Sequence, residues 1–255
     1  MLRAGLIGSP LGHSWSADYF ARQYPDCHYQ SYERPSLDGL RRWVESEHLN
    51  GFNVTIPYKT AIMELLDNVD ETARRIGAVN CVCVRRADGR LTLEGHNTDY
   101  RAFADTLQPL LQPCHQRALV LGTGGAAKAV AYALQQLGID YTFVSRHPEL
   151  HHNAIGYEQL SPSIQNIPSN ESQFNILINA TPVGMWPHTE ESPTPDIHSI
   201  VRKGYLCYDL IYNPEKTRWM LEAAQCGATV CNGLAMLHRQ ADLSHALWLQ
   251  EQVSR

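Results

Sequence analysis

A short apolar run, a glycine-rich turn and an alanine-rich segment follow one another in the middle of the chain, and they constrain the fold more than any other feature. Residues 118–121, Ala-Leu-Val-Leu, are typical of a buried parallel strand. Gly122, Gly124 and Gly125 come next, and residues 126–134 have high helix propensity. Glycines permit a tight turn and a close approach to a pyrophosphate, whose charge the amide groups of a helix N-terminus stabilise. This succession predicts the first strand, turn and helix of a dinucleotide-binding domain.

The glycine pattern by itself also fits an ordinary turn between a strand and a helix, because Ala127 stands where G-x-G-x-x-G has its third glycine. The next apolar run, 141–144, ends in Ser145 and Arg146, where dinucleotide-binding domains bind the adenosine ribose. NAD enzymes usually place an acidic residue there, whereas an arginine suits the additional phosphate of NADP. The first carboxylate after this strand is Glu149, so the sequence favours NADP(H) as the cofactor.

The composition predicts a globular protein and argues against several other classes. With 255 residues, 44% hydrophobic and 18% charged, the chain is long enough for one large or two modest domains. A formal charge of -5 without a basic block argues against a nucleic-acid partner. No apolar run approaches the length of a membrane span, and no signal peptide is expected. Seven cysteines without a C-x-x-C pair predict reduced thiols in a cytoplasmic protein, and the histidines lack metal-ligand spacing, so no metal site is expected.

Strand and helix signals alternate along the chain and predict an α/β protein. Helices are expected over 37–47, 60–76 and 100–111, and a last helix is expected from 234 to about 250. Asp88 and Gly89 predict a tight hairpin turn. The polar group Asn97-Thr-Asp99 precedes a predicted helix, and capping of that helix is the simpler interpretation.

Polar side chains occur at the ends of two predicted strands in the N-terminal part. Ser14 and Ser16 lie at a strand-to-helix junction, where they either cap the helix or bind a small anion such as a carboxylate. Asn53 and Thr55 share the polar face of a second strand, and Lys59 emerges at its carboxyl end, where open α/β sheets bind their ligands. A lone lysine there is usually a solvated residue at a helix start. The three polar residues together favour a binding site.

A series of motifs along the chain resembles the shikimate dehydrogenases, in the same order. The N-terminal part contains Gly8-x-Pro-x-x-His-Ser-x-Ser16, Gly51-Phe-Asn-Val-Thr-x-Pro-x-Lys59, Gly77-Ala-Val-Asn80 and Asn97-Thr-Asp99. The glycine loop at Gly122 is followed by Asn179-Ala-Thr-Pro-x-Gly-Met185, Tyr208-Asp-x-x-Tyr-x-Pro-x-x-Thr217 and Gly233-Leu-x-Met-Leu-x-x-Gln240. Each motif alone is common, but their joint occurrence over essentially the whole chain is specific.

The resemblance implies an α/β fold of two domains with an active-site cleft between them. One is an N-terminal α/β substrate domain with a mainly parallel sheet, and the other is a Rossmann-like NADP-binding domain. The last helix returns to the first domain, which is therefore discontinuous. The expected boundaries are 1–100 with 233–255 for the substrate-binding catalytic domain and 101–232 for the NADP-binding domain.

The implied activity is the NADPH-dependent, reversible reduction of 3-dehydroshikimate to shikimate, a step of chorismate and aromatic amino acid biosynthesis. The family assigns the catalytic roles to Lys59, as proton donor or as electrostatic clamp, and to Asp99, which orients it. The residues implied to bind substrate are Ser14, Ser16, Thr55, Lys59, Asn80, Asp99, Tyr212 and Gln240. The residues implied to bind NADP(H) are Gly122, Gly124, Gly125, Ala126, Ser145, Arg146, Asn179, Thr181, Gly233 and Met236. The expected assembly is a monomer or a homodimer.

The chain departs from the family pattern at two places. Residues 17–21, Ala-Asp-Tyr-Phe-Ala, replace the usual Pro and His-Asn, and Ala235 replaces a usual glycine beside Met236. Two other functions stay open. An NAD-using quinate/shikimate dehydrogenase is expected to carry an acidic residue after the second nucleotide-domain strand, and a non-catalytic shikimate- or nucleotide-binding homologue is expected to lack Lys59 or Asp99.

Overall fold

The computed structural model describes residues 1–11, 15–160 and 174–253, and it contains two compact units. The first unit is Met1–Ala102 with Leu237–Arg255, and the second is Phe103–Met236. The strands are β1 (Leu2–Gly8), β2 (Cys27–Glu33), β3 (Gly51–Val54), β4 (Asn68–Val69), β5 (Cys81–Ala87), β6 (Arg90–His96), β7 (Arg117–Leu121), β8 (Asp140–Ser145), β9 (Ala154–Gly156), β10 (Ile176–Asn179), β11 (Leu206–Asp209) and β12 (Thr229–Cys231). The helices are α1 (Trp15–Gln23), α2 (Leu40–Ser46), α3 (Glu71–Ile76), α4 (Asp99–Leu107), α5 (Gly125–Gln136), α6 (Ile197–Ile200), α7 (Arg218–Gln225) and α8 (Leu234–Val253).

The first unit is built on a mixed sheet with the strand order β2-β1-β3-β5-β6-β4. Its pairs are parallel except β3–β5 and β5–β6, so β5 alone runs against the other strands. The reversal at the end of β5 is the predicted tight turn, in which Asp88 and Gly89 have φ angles of 50° and 72°. The sheet is thus mainly parallel, as the resemblance implies.

Helix α8 covers one face of this sheet through a large aromatic anchor. The ring of Trp248 is fully buried, and its indole Nε1 donates a hydrogen bond to the Val82 carbonyl oxygen on β5 (3.0 Å). Phe20 on α1 stacks against both Trp248 and Tyr29 on β2. Gly51 leaves no room for a Cβ beside the indole ring, so this position of β3 requires glycine for close packing. The anchor packs the C-terminal half of α8 against the strands.

The predicted continuous helix over 60–76 is wrong. The structure has instead a 3-10 turn at Ala61–Leu65, the strand β4 and the short helix α3. Asp67 is tied to the sheet, because its N donates to the Leu93 carbonyl oxygen (2.9 Å) while Leu93 N donates to its Oδ2 (2.7 Å). Asp70 then begins α3, accepting hydrogen bonds at Oδ1 from two amides of the first turn. Pairing with a distant strand therefore overrides the local helical signal.

The second unit is built on a fully parallel sheet with the strand order β12-β11-β10-β7-β8-β9. Counted from β7, this is the order 3-2-1-4-5-6 of dinucleotide-binding folds, and it confirms the Rossmann-like prediction. The order reverses between β7 and β10, whose last residues, Leu121 and Asn179, are direct partners. Ligands of such sheets bind outside the carboxyl ends of the strands at this reversal. Ala127 is fully buried in α5, so the close packing of helix and sheet accommodates a methyl group where the pattern has its third glycine.

In the described ranges, no helix is both long enough and apolar enough to cross a membrane. Nor does the described part of the chain contain a cluster of three or more histidine, cysteine or acidic residues that could hold a metal ion.

Candidate active site

Lys59 and Asp99 form a short, largely buried ion pair in the first unit. The Lys59 Nζ lies 2.6 Å from the Asp99 Oδ2, and the two side chains are 16% and 6% exposed. The Lys59 carbonyl oxygen accepts a hydrogen bond from Val79 N (2.7 Å), which fixes the backbone beyond β3. Asp99 is the first residue of α4, where the helix dipole stabilises a carboxylate. The two residues to which the resemblance assigns the catalytic roles therefore lie in direct contact.

Asn80 holds the second oxygen of the same carboxylate. Its Nδ2 donates to the Asp99 Oδ1 (2.9 Å) and to the Thr98 Oγ1 (2.9 Å), while its Oδ1 accepts from Thr98 N (2.6 Å). Both Asp99 oxygens are therefore bonded, one to a cation and one to an amide, and the carboxylate has a defined orientation. Thr98 contributes to this arrangement although the sequence analysis assigns it no role.

Capping explains Asn97 but not Asp99. The Asn97 Oδ1 accepts a hydrogen bond from Tyr100 N (3.2 Å), and its Nδ2 donates to the Ala78 carbonyl oxygen (2.9 Å). Because Asn97 bonds the first turn of α4, the Asp99 side chain is directed to Lys59 instead. The capping interpretation of the whole Asn97-Thr-Asp99 group is therefore correct for its first residue only.

Three other residues to which the resemblance assigns substrate contacts lie in separate parts of the first unit. Gln240 on α8 is buried, and its Oε1 lies 3.5 Å from the Asn80 Nδ2, while its Nε2 donates to the Leu237 carbonyl oxygen (3.0 Å). Thr55 is half-buried just after β3, and its N donates to the Ile7 carbonyl oxygen (2.9 Å). Ser16 is buried in the first turn of α1. Ser14 lies outside the described residues.

His96 is a titratable neighbour of the site that no sequence motif indicates. Its Nδ1 lies 3.2 Å from the Asp70 Oδ2. Burial alone would lower the pKa of His96, but hydrogen bonds to Asp70 and Cys83 raise it to about 10. Its carbonyl oxygen accepts from Asn80 N (3.1 Å), so the end of β6 is bonded directly to the residue that orients Asp99.

The glycine loop of the second unit has the features of a pyrophosphate cradle. Gly122 has a φ of 96°, and a Cβ there would lie 2.9 Å from the Thr181 Cγ2. Gly124 precedes α5, and a Cβ built on it would meet open space. The first amides of α5, from Gly125 and Ala126 onward, have no acceptor within the helix. These amides and the helix dipole suit a pyrophosphate, so the loop fits the phosphates of NADP(H).

Ser145 and Arg146 differ in exposure at the end of β8. Ser145 is buried, and its Oγ accepts a hydrogen bond from His147 N (3.1 Å), so this hydroxyl holds the loop. The Arg146 side chain is exposed. A guanidinium at the end of the second strand suits a ribose phosphate by charge and geometry.

The side chain of Asn179 supports its loop through hydrogen bonds, and the assignment of this residue to the cofactor site stays a prediction. The residue is 0% exposed. Its Oδ1 accepts from Thr181 N (3.0 Å) and Thr181 Oγ1 (2.7 Å), and its Nδ2 donates to Asp209 Oδ1 (3.0 Å) and Val183 O (3.3 Å). Two lone pairs and two hydrogens complete the hydrogen-bonding capacity of an amide side chain. Asn179 therefore positions Thr181.

Asp209 is the buried centre of this support, and the sequence analysis assigns it no role. It accepts hydrogen bonds from Ile211 N (3.0 Å) and from the Thr217 Oγ1 (2.7 Å) in addition to the one from Asn179. Burial raises the pKa of Asp209 to about 6, against the effect of these hydrogen bonds. The loops that follow β10 and β11 are thereby tied to a single carboxyl group.

The remaining nucleotide-domain residues also follow carboxyl ends of parallel strands. Tyr212 comes after β11 and is half-buried, and burial raises the pKa of its phenol. Gly233 comes after β12, and a Cβ there would collide with the Leu210 carbonyl oxygen. Met236, in the first turn of α8, is buried, whereas the neighbouring Ala235 is exposed. Close backbone packing thus explains the glycine at 233.

Comparison with known proteins agrees with this geometry. Residues 6–82 match the family model described as the shikimate dehydrogenase substrate binding domain. The chain is 35% identical to "Shikimate dehydrogenase (NADP(+))" of Bacillus cereus (strain B4264), with 96% of this chain and 91% of the relative covered. It is 36% identical to the protein of the same name from Shouchella clausii (strain KSM-K16), covering 98% and 94%.

A solved structure is similar over nearly the whole chain. This is shikimate 5-dehydrogenase from Thermus thermophilus in complex with NADP(H) and shikimate. It superposes with a TM-score of 0.82 at 32% identity, covering 98% of this chain and 94% of that one. The ion pair, the strand order and these similarities lead to one conclusion: the chain belongs to the shikimate dehydrogenase family.

Proposed function

We propose that this protein is an NADP-dependent oxidoreductase that interconverts 3-dehydroshikimate and shikimate, a step of chorismate biosynthesis. The observation that carries the proposal is the Lys59–Asp99 pair, 2.6 Å apart and oriented by Asn80. The names of the relatives and the ligands of the Thermus thermophilus structure support the substrate and the cofactor. Both residues whose loss would indicate a non-catalytic homologue are present.

The first unit would hold the substrate and the second the cofactor, consistent with the predicted domains 1–100 with 233–255 and 101–232. Ser14 and Ser16 would bind the carboxylate, and Thr55, Asn80 and Gln240 would bond the ring hydroxyls. A cyclic hydroxy acid needs many such partners, because each buried hydroxyl left unpaired costs about 1–3 kcal/mol. Tyr212 is a further residue that would contact the substrate.

The chemistry at the substrate ketone requires a proton at the carbonyl oxygen. When bound, NADPH supplies the hydride that reduces the carbonyl carbon. Lys59 would lie at the oxygen, where it stabilises the developing negative charge and provides the proton directly or through water. Asp99 would keep the Lys59 ammonium in place and accept a hydrogen bond from a ring hydroxyl. Asn80 would hold Asp99 during this step.

The cofactor would lie along the carboxyl ends of the parallel sheet. The loop of Gly122, Gly124, Gly125 and Ala126 would bind the pyrophosphate, and Arg146 would bind the ribose phosphate, with Ser145 holding its loop. Thr181, held by Asn179, and Met236 beside Gly233 would shape the nicotinamide end. The exposed guanidinium of Arg146 favours NADP over NAD, and so does the lack of an acidic residue between the end of β8 and Glu149.

The direct test is to mix purified protein with 3-dehydroshikimate and to follow the loss of NADPH absorbance, and then to repeat the assay with NADH. Rapid loss with NADPH and slow loss with NADH is the expected result. Comparable rates with both would instead indicate the quinate/shikimate type, and quinate would then be the next substrate. No loss with either cofactor would overturn the proposed activity in favour of a binding protein.

A cytoplasmic location is part of the proposal, and it is consistent with seven cysteines that are all free thiols. The proposed assembly is a monomer or a homodimer, without a nucleic-acid or membrane partner. Light scattering after size-exclusion chromatography distinguishes the two assemblies.

A further inference from the structure

A row of buried hydrogen bonds lies behind the Lys59–Asp99 pair, at the side that does not face Lys59. The Tyr29 hydroxyl donates to the Asn53 Oδ1 (3.0 Å), and the Asn53 Nδ2 donates to the Ser244 Oγ (2.8 Å). The Ser244 Oγ lies 3.2 Å from the Thr98 Oγ1, which accepts from the Asn80 Nδ2 (2.9 Å). We call these side chains the buried polar row: Tyr29, Asn53, Ser244, Thr98 and Asn80.

Ser244 is the member in which the row branches. Its hydroxyl donates to the Gln240 carbonyl oxygen one helical turn earlier (2.8 Å). A hydroxyl has one hydrogen and two lone pairs, so Ser244 must accept from both Asn53 and Thr98. One serine in α8 therefore connects a residue of β3, a residue at the start of α4 and the backbone of Gln240.

This assignment also gives a direction to the hydrogen bond between Thr98 and Ser244. Because the Thr98 hydroxyl donates to Ser244, its lone pairs accept from the Asn80 Nδ2. The Asn80 Oδ1 then accepts from Thr98 N (2.6 Å), and the Asn80 amide presents its other hydrogen to the Asp99 Oδ1 (2.9 Å). With the amide reversed, an oxygen would face the carboxylate, which is repulsive. The Ser244 hydroxyl thus supports this arrangement by accepting the Thr98 proton, whose other acceptor within reach is the Asn80 Oδ1 (3.3 Å).

We propose that Ser244 is a positioning residue of the active site, which sets the orientation of the Asn80 amide through Thr98 and thereby that of the Asp99 carboxylate. The proposal rests on the proposed function, in which Asp99 orients Lys59. Ser244 is 0% exposed, so it acts through the row and touches neither substrate nor cofactor. The Ser244 hydroxyl thus affects the active site through Thr98 and Asn80, without contacting Lys59 or Asp99.

The test compares Ser244→Ala and Ser244→Thr with a control in the same helix, Trp248→Phe. Ser244→Ala removes the hydroxyl, and Ser244→Thr keeps one. Trp248→Phe removes another buried hydrogen bond between α8 and the sheet, the one to the Val82 carbonyl oxygen, which is not part of the row. The measurements are kcat, the KM values for shikimate and NADP+, and the melting temperature.

Ser244→Ala is expected to lower kcat/KM for shikimate about tenfold, which corresponds to one buried hydrogen bond, while the KM for NADP+ stays unchanged. Ser244→Thr is expected to recover most of that loss. Trp248→Phe is expected to lower the melting temperature without changing kcat. A Ser244→Ala protein within twofold of the wild type, or equal losses of activity in Ser244→Ala and Trp248→Phe, would overturn the proposal.

A second measurement does not depend on turnover. The side-chain amide of Asn80 gives a pair of NMR signals, identified with an Asn80→Asp protein, and Ser244→Ala is expected to shift them and to accelerate their hydrogen exchange. Unchanged Asn80 signals would refute the positioning role even if the wild-type protein did not turn over shikimate. The wild type could also show no turnover while Ser244→Ala still shifts the Asn80 signals. That result would refute the proposed function but would support the positioning role of Ser244.

Discussion

At the scale of the residue, the carboxylate of Asp99 has each oxygen bonded to a different partner. Oδ2 lies against the Lys59 ammonium and Oδ1 accepts from the Asn80 amide. Charge-assisted hydrogen bonds of this kind are short and strong, and partial burial protects them from screening. Lys59 is therefore held in one place at little further entropic cost when a substrate arrives.

Replacement of Lys59 tests its part in the reaction. Lys59→Ala is expected to lower kcat by roughly 10²–10⁴-fold, because the developing alkoxide loses its positive neighbour and its proton source. NADPH affinity, measured by fluorescence titration, is expected to be unchanged. Lys203→Ala, which removes an exposed lysine just before β11, is the matched control. Near-wild-type turnover of Lys59→Ala would remove this residue from the mechanism.

Arg146 tests cofactor choice at the same scale. Arg146→Ala is expected to raise the KM for NADPH about tenfold, because one charge-assisted contact with the ribose phosphate is lost. NADH lacks that phosphate, so its KM serves as the internal control and is expected to stay the same. Equal changes for both cofactors would mean that Arg146 acts on the fold of its loop and not on the phosphate.

The site residues differ in how far the sequence predicts them. The roles of Lys59 and Asp99 are implied by the resemblance, because each lies in a motif that the family shares. Ser244 is not predicted, because its partner Thr98 is 146 positions away and no local pattern joins them. Asn179 lies at the predicted strand end, but its side-chain amide is already hydrogen-bonded to Asp209 and Thr181. Sequence motifs locate such residues but do not say which of their atoms stay available.

At the scale of the element, the sequence predicts helices and strands well where residues adjacent in sequence determine the local structure. The strand, turn and helix around Gly122 are found as predicted, because glycine and alanine act locally there. The strands β4 and β9 and the break in the predicted helix over 60–76 are not predicted. Each depends on pairing with a strand elsewhere in its sheet. Short edge strands give too little apolar pattern to compete with helix propensity.

Asp70, at the start of α3, allows a test of how much the helix cap contributes to stability. Its Oδ1 accepts from Thr72 N (2.7 Å) and Ala73 N (3.0 Å), and its Oδ2 faces His96. Asp70→Ala removes both the cap and the charge and is expected to destabilise the protein by about 1–2 kcal/mol in urea unfolding. Asp70→Asn keeps the cap and removes only the charge, so it is expected to lose less. Equal losses would show that the cap contributes nothing.

At the scale of the whole molecule, His96 in the first unit and Asp209 in the second both have a raised pKa, and the pH ranges over which they lose their contributions to stability do not overlap. Asp209 in the second unit has a folded pKa of about 6 against 3.8 for the ordinary carboxyl. Its contribution to stability is fully present below pH 3.8 and is lost as pH rises through about 6. The three hydrogen bonds to Asp209 offset part of the cost of its charge at neutral pH. Above about pH 6, any further change of folding stability with pH therefore comes from groups other than Asp209.

His96 contributes to the pH dependence of stability in that higher range. Its folded pKa is raised from 6.5 to about 10, so its contribution to stability is fully present below pH 6.5 and is lost as pH rises through 10. Removing the group with His96→Gln is expected to cost about 1 kcal/mol more at about pH 6 than at about pH 10.5, the size of a partly buried ion pair. The measurement is the free energy of urea unfolding of both proteins at the two pH values. If the difference in unfolding free energy between the two proteins does not change with pH, His96 stays neutral beside Asp70. The predicted change would show that an ion pair at the end of β6 supports the strand that leads into Asp99.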